Sequence, residues 1–230
     1  MHSSPAPANA DHRVVTVWSD LASPSAALAL TTLRRRASER RVGLLVDHRA
    51  CARELLHQEP NRRDVVDGEL CAIAALRPDL AWRPWPADDD AYPVTTLLAM
   101  EAVQAAKRPE CGGLAGSDEL DAALRRALLE EGRCVSLMPV VLEVVRSCPS
   151  VEAGTLTDAL IAGTGRAAVM AQWVTASRAA LDGQPQLITQ GGYTGSGAGV
   201  SVAWPDGLGK GRPLARDDGD GWVDALLDTL

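Results

Sequence analysis

The sequence predicts an α/β protein in which a long helical segment interrupts a small mixed sheet. Three observations support this fold class. RVVTVW near the start is rich in β-branched residues and is typical of a buried strand. From Arg53 to about Ala180 most segments carry apolar residues at helical spacing. Strand patterns return only after Gly183, in QPQLIT and GVSVAW.

The composition restricts the class of protein and its partners. A chain of 230 residues is long enough for one sizeable domain, or for a small domain with a large insertion. It contains no Phe and two Tyr, so Leu, Val and Ala must fill the core. A net charge of −7 argues against nucleic acid or an anionic membrane as the main partner. No apolar run approaches the length of a membrane span.

The N-terminal segment and the cysteines predict the compartment. Residues 1–12 are small, polar and Pro-containing, so we expect a disordered tail without the apolar core of a secretory signal. The five cysteines are odd in number, widely spaced and without a C-x-x-C pair. This pattern fits a reducing cytoplasm, with the thiols mostly buried, and predicts a cytoplasmic protein.

The first elements are predicted to form a βαβ unit. After RVVTVW, the sequence SPSA opens a helix from Pro24, with apolar residues at helical spacing as far as Leu33. Arg34–Arg36 would be the solvated end of this helix. RVGLLVDHR is typical of a second strand, and such a unit pairs its two strands in parallel.

The rest of the chain is predicted to be helical and then to return to the sheet. Ser117 is expected to cap the helix that contains DELDAALRRALLEEG. Residues 13–47 and 184–204 are expected to form one sheet, with GGYTGSGAG as a flexible loop and GWVDALLDTL as a final helix. The order β-α-β, helices, β-β-α is that of a thioredoxin-like fold. The predicted thioredoxin-like domain comprises residues 13–50 and 183–230, and the helical insertion comprises residues 51–182.

Specific motifs resemble a known family. VWSDLASPSAALA, PVTTLLAMEAVQAAK followed by ELDAALRRALLEEGR, and DGQPQLIT are similar to segments of the DsbA family of thioredoxin-like proteins. The resemblance is to its cytoplasmic branch, which also contains 2-hydroxychromene-2-carboxylate isomerases and kappa-class glutathione transferases. Redox-active relatives have Cys-Pro-X-Cys where this chain has Ser23, Pro24, Ser25 and Ala26. The resemblance therefore implies the scaffold, but a chain without this dithiol cannot exchange disulfides at this site.

Three roles for Ser23 remain open at this point. Ser is a preferred N-cap and Pro a preferred first helical residue, so Ser23 and Pro24 can do no more than start a helix. In the isomerase and transferase relatives a Ser at this position binds the sulfur of glutathione, which implies a ligand-contacting hydroxyl. Catalysis by Ser23 is the third role. Ser25 departs from those relatives, where an aromatic residue is expected.

The DGQPQLIT motif implies a second side of the same site. By resemblance, Pro185 matches the cis-proline that faces the active helix, which would leave the backbone of Gln184 free to pair with an extended peptide or glutathione. The alternative is an ordinary trans proline at a strand edge. Ser23 is thus the candidate catalytic residue, and Pro24, Gln184 and Pro185 are the candidate ligand-binding residues.

Two functions follow from these residues. One is a non-catalytic protein that holds a small thiol or an extended peptide between Ser23 and Pro185. The other is a glutathione-dependent isomerase or transferase, or an oxidoreductase by family alone. Glutathione is the one cofactor implied, and a homodimer is compatible with the sequence. No metal is expected, because His48, Cys51 and His57 match no zinc spacing.

Overall fold

The structure is a computed structural model that describes residues 12–181, 185–192, 194–196, 199–204 and 213–230. The predicted tail, residues 1–12, lies outside these ranges except for His12. The strands are β1 (Arg13–Ser19), β2 (Leu44–Ala50), β3 (Gln186–Thr189), β4 (Thr194–Ser196), β5 (Val200–Ala203) and β6 (Leu214–Asp217). The helices are α1 (Pro24–Glu39), α2 (Arg53–His57), α3 (Arg63–Leu76), α4 (Leu97–Ala106), α5 (Gly113–Leu129), α6 (Met138–Arg146), α7 (Ala153–Ile161), α8 (Thr164–Arg178) and α9 (Gly221–Leu227).

A four-stranded sheet in the order β2-β1-β3-β4 organises the fold. β1 and β2 are parallel, with Val17 opposite His48. β3 runs antiparallel to β1, with Gln186 opposite Trp18, and β4 runs antiparallel to β3. Helices α2 to α8 lie between β2 and β3 in the chain. The predicted α/β, thioredoxin-like fold with a helical insertion between its two halves is confirmed.

The prediction for GVSVAW is wrong in its pairing. Its strand, β5, does not join the main sheet but forms a separate antiparallel pair with β6. Val200 packs in the core formed largely by the inserted helices. β4, in the glycine-rich stretch expected to be a loop, takes the place beside β3. An alternating pattern predicts a strand but does not specify its partner, which depends on tertiary packing.

Aliphatic side chains fill the core in two clusters, as the lack of Phe requires. The smaller cluster joins the sheet to α1 and α9 and includes Val15, Leu33, Leu187 and Leu226. The larger cluster joins the inserted helices to the first turns of α1. α1 contributes to both clusters, so it is packed against the sheet and the insertion together.

The insertion also covers the outer edge of β2. Outward-facing backbone groups of this edge strand need partners wherever water is excluded. Side chains from α4, α5 and α8 supply them. The bonds are Val46 N to Asp118 Oδ2 (3.2 Å), Gln104 Nε2 to His48 O (3.0 Å) and Ala50 N to Gln172 Oε1 (2.6 Å).

Ser117 does not cap a helix, contrary to the prediction. α5 begins four residues earlier, at Gly113, and Ser117 is completely buried inside it. Its hydroxyl donates to the carbonyl of Val103 on α4 at 2.9 Å. A buried serine that bonds a neighbouring helix is compatible with a helix interior, and the sequence does not distinguish this role from capping.

The arginines at the end of α1 are paired and not simply solvated. Arg34 bonds Asp118 on α5, while Arg36 bonds Asp224 on α9 at 2.7 and 2.9 Å. Arg35 bonds Asp220, which precedes α9, at 2.6 Å. Their charge therefore connects α1 to α5 and to the α9 region, a tertiary arrangement that a run of like charges does not reveal.

Candidate ligand-binding site

The start of α1 lies directly beyond the carboxyl end of β1. Ser23 is the N-cap, with extended backbone angles, and its Oγ accepts a hydrogen bond from Ala26 N at 3.2 Å. Pro24 is the first helical residue, where its missing N–H is not needed. Ser23 therefore caps α1. Among the described residues, none accepts a hydrogen bond from the Ser23 hydroxyl.

The helix start is enclosed. Ser23 is 3% exposed, Ser25 is 7% exposed and Ala26 is fully buried. The first N–H groups of a helix lack intrahelical acceptors and favour an anion or a thiolate. A ligand that used them would be shielded from water, which would strengthen its polar contacts.

Asp20 fixes the turn between β1 and α1. Its carboxylate is completely buried and accepts backbone N–H bonds from Ala22 and Arg53, both at 2.7 Å. The hydroxyl of Thr96, which precedes α4, lies 3.4 Å from Asp20 Oδ1. Asp20 thereby connects the turn to the starts of α2 and α4. The sequence does not reveal this role, because there Asp20 is simply a polar residue that follows a strand pattern.

Arg125 of α5 holds the same turn from the other side. Its buried guanidinium donates to the carbonyl oxygens of Asp20 (2.9 Å) and Leu21 (3.2 Å) and to Ser19 Oγ (2.9 Å). Its remaining donors bond both carboxylate oxygens of Asp121, at 2.8 and 3.2 Å. Sequence reasoning missed this residue because an Asp and an Arg four positions apart on a helix are typical of a surface pair.

A buried imidazole lies next to this ion pair. Nε2 of His48 is 3.1 Å from Asp118 Oδ1, and its Nδ1 is 3.4 Å from Asp121 Oδ2. A cavity of about 10 Å³ adjoins His48, Asp121 and Arg125, which is room for about one water molecule. Burial opposes ionisation of Asp121, but the charges of Arg125 and His48 lower its pKa to about 2.

Glu54 lies next to Arg53, near the same turn. It accepts hydrogen bonds from Thr95 Oγ1 (2.9 Å) and Thr96 N (3.1 Å). Burial raises its pKa, and the charge of Asp20 acts in the same direction. Glu54 also lines an open groove of about 550 Å³, here called the Trp173 groove. Its lining residues are Glu54, Leu55, Gln58, Glu59, Pro60, Val94, Thr95 and Trp173.

Pro185 is buried and directly precedes β3. Because Gln186 lies opposite Trp18 near the end of β1, Pro185 is at the same end of the sheet as the β1–α1 turn. Gln184 lies outside the described residues, and so does its peptide bond with Pro185. The cis form of this bond and the ligand-pairing role of Gln184 therefore remain predictions.

The described residues contain no membrane-spanning helix, no metal-ligand cluster and no disulfide. None of the described helices is long and apolar enough to cross a membrane. No three His, Cys, Asp or Glu side chains in the described ranges come together as a metal site. All five cysteines lie within those ranges, and no disulfide joins them.

Comparison with known proteins identifies the fold. No protein-family model matches the sequence, and no curated protein matches it. The solved structure of the cytosolic disulfide reductase DsbM from Pseudomonas aeruginosa is similar, with a TM-score of 0.60 and 18% identity over 94% of this chain and 97% of that chain. The DsbM structure with GSH gives a TM-score of 0.52 and 16% identity over 94% and 98% of the two chains.

An isomerase structure has the same fold. 2-Hydroxychromene-2-carboxylate isomerase matches with a TM-score of 0.59 and 15% identity, covering 80% of this chain and 89% of that chain. At these identities the similarity establishes the fold. The chain thus has a thioredoxin-like fold with a helical insertion, in which α1 is capped by Ser23 and has no cysteine in its first turn.

Proposed function

We propose that this chain belongs to the DsbA family as a member without the redox dithiol, and that it binds a small thiol at the start of α1. The observation that carries the proposal is Ser23, an enclosed N-cap at the start of α1. By sequence resemblance, Ser23 matches the attacking cysteine and Ala26 matches the second one. Pro24 has no N–H and Ala26 N donates to Ser23 Oγ, which leaves Ser25 N and the positive end of the helix dipole to favour a thiolate.

Glutathione is the thiol to test first. The sequence resemblance suggests it, and a solved structure of the similar protein DsbM contains it. The ligand would lie between Ser23 and Pro185, with Pro24 beside it and the backbone of Gln184 pairing with its extended part. A cytoplasmic location is part of the proposal, since DsbM is described as cytosolic. An extended peptide is the other ligand that this arrangement would suit.

Ligand titration of the wild type and a Ser23→Ala variant tests the proposal. Loss of the hydroxyl contact should weaken glutathione binding by about 0.5–1.5 kcal/mol, or roughly twofold to tenfold. The variant also loses the bond to Ala26 N, which should lower stability by about 1 kcal/mol. Calorimetric titration and thermal unfolding must therefore be measured together.

Ser25→Ala is the matched control, because Ser25 is a buried serine of the same turn that does not cap the helix. It should leave glutathione affinity unchanged. If neither glutathione nor short peptides bind the wild type at millimolar concentration, the binding proposal is wrong. If Ser23→Ala loses only stability, Ser23 is solely a cap.

A second candidate function is glutathione-dependent isomerisation, with the hydroxyl of Ser23 in the active site. The Ser-Pro pair that opens α1 favours it, because the resembling isomerases have the same pair, and the isomerase structure shares this fold. Turnover of 2-hydroxychromene-2-carboxylate in the presence of glutathione would distinguish this enzyme from a binding protein.

A further inference from the structure

Arg125 lies in the helical insertion, yet most of its hydrogen bonds go to the turn that leads into α1. A guanidinium has five N–H donors, and all five are used. Three of them bond the consecutive residues Ser19, Asp20 and Leu21. Neutralising Asp121 would need only the other two, so charge balance alone does not explain the arrangement.

A chain of two hydrogen bonds connects Arg125 to Ser23. The carbonyl oxygen of Asp20 accepts from Arg125 Nη1 at 2.9 Å and from Ser23 N at 3.3 Å. The position of this one oxygen therefore depends on the guanidinium and determines the position of the cap residue. Arg125 is 5% exposed and Asp121 is 3% exposed, so water cannot easily replace these bonds.

We propose that Arg125 is a positioning residue: it orients the β1–α1 turn from the insertion, so that Ser23 and the first N–H groups of α1 face the ligand. The inference rests on the proposed ligand site at Ser23. Asp121 fixes the guanidinium through its two carboxylate bonds. A lysine would retain the charge but has no planar fork that can bond three successive residues.

A thiol introduced by the Ser23→Cys substitution would report on the geometry without any ligand. Cys71 and Cys134, the two cysteines that are not buried, are first replaced by Ser. The ultraviolet absorbance of the thiolate is then titrated in this chain with and without S23C, and the difference gives the pKa of the introduced thiol. The helix start should hold it below the ordinary value of about 8.5.

Adding Arg125→Lys should raise this thiol pKa by roughly one unit, because the turn no longer holds the thiol against the first N–H groups of α1. Arg126→Lys, on an exposed neighbour in the same helix, is the control and should leave the titration unchanged. Circular dichroism confirms that each variant is folded at the assay temperature. Should Arg125→Lys fail to fold, Ser19→Ala removes a single bond to the guanidinium and should shift the pKa in the same direction by a smaller amount.

A folded Arg125→Lys variant with an unchanged titration would show that Arg125 only stabilises the core, and the inference would be wrong. If Arg125→Lys does not fold, an unchanged titration of Ser19→Ala would overturn the inference in the same way. An introduced thiol of ordinary pKa in the parent chain would overturn it as well. Because no ligand is present, these results are independent of glutathione binding, whose failure would contradict the proposed function alone.

Discussion

Two carboxyl groups near the β1–α1 turn, those of Asp121 and Glu54, have pKa values shifted in opposite directions. Asp121 faces Arg125 and His48, and these charges outweigh the effect of burial and lower its pKa. Glu54 receives two hydrogen bonds, but burial and the charge of Asp20 raise its pKa. Perturbed carboxyl groups near a ligand site are typical of functional residues, although ion-pair networks in protein cores produce them too.

Glu54→Gln should stabilise the protein at pH 7. A raised pKa means that the folded state binds the Glu54 proton more tightly than the unfolded state does. In the wild type, the stability gained from this proton is present below the ordinary pKa of 4.5 and is lost as the pH rises through the folded value. Gln stays neutral and retains an oxygen for Thr95 and Thr96. The melting temperature should therefore rise by roughly 1–2 °C at pH 7 and be unchanged near pH 4.

Glu59→Gln is the control for this measurement, because Glu59 is an exposed residue of the same Trp173 groove. It should leave the melting temperature unchanged at both pH values. A Glu54→Gln variant that is less stable at pH 7 would mean that the carboxylate charge is favourable at this position.

Helix α8 approaches α4 through a glycine. A Cβ at Gly165 would lie 1.9 Å from the carbonyl oxygen of Glu101, whereas a Cβ at Gly154 in α7 would meet nothing within 4 Å. The two helices therefore pack backbone against backbone at Gly165. This close contact places Gln104 of α4 and Gln172 of α8 side by side, with Gln172 Nε2 donating to Gln104 Oε1 at 2.8 Å.

Gly165→Ala should destabilise the protein by about 2–3 kcal/mol, since the added methyl group forces α4 and α8 apart. Gly154→Ala should be neutral or stabilising by up to about 1 kcal/mol, because Ala favours helix and has room there. Urea unfolding of both variants measures the difference. Equal stabilities would refute the close approach of these helices.

Local sequence signals predict some elements correctly, although the cap predicted at Ser117 is wrong. The N-cap at Ser23 and the strand at RVVTVW depend on neighbours in the chain, and both are present. The bonds from Arg125 to Asp20 join residues far apart in the sequence. β5 pairs with the next strand along the chain, β6, but LARD has no alternating apolar pattern that would predict β6. No spacing rule encodes such contacts, so these parts of the fold and the site were not predictable.

The whole molecule retains a thioredoxin-like scaffold but has no pair of sulfurs at its helix start. Cys51, Cys111 and Cys148 are buried, and burial raises the pKa of the Cys111 and Cys148 thiols, which disfavours their reactive thiolate forms. Cys71 alone is exposed. We therefore expect no disulfide exchange by a dithiol mechanism.

The wild-type protein should reduce insulin disulfides no faster than the uncatalysed background. A double variant with Ser23→Cys and Ala26→Cys restores sulfurs at both positions and should gain measurable turnover in the presence of a thiol reductant. Robust wild-type turnover that survives replacement of all five native cysteines would contradict the requirement for a dithiol. Turnover lost with one native cysteine would place the redox centre elsewhere.

The covered edge of β2 has a consequence for self-association. An exposed edge strand can recruit an extended segment from another chain, and a continuous intermolecular sheet is a route to dimers and to fibrils. Here Asp118, Gln104 and Gln172 already bond three outward groups of β2, namely Val46 N, His48 O and Ala50 N. A homodimer of this protein would therefore have to form through another surface, and the inserted helices protect this side of the sheet against fibril growth.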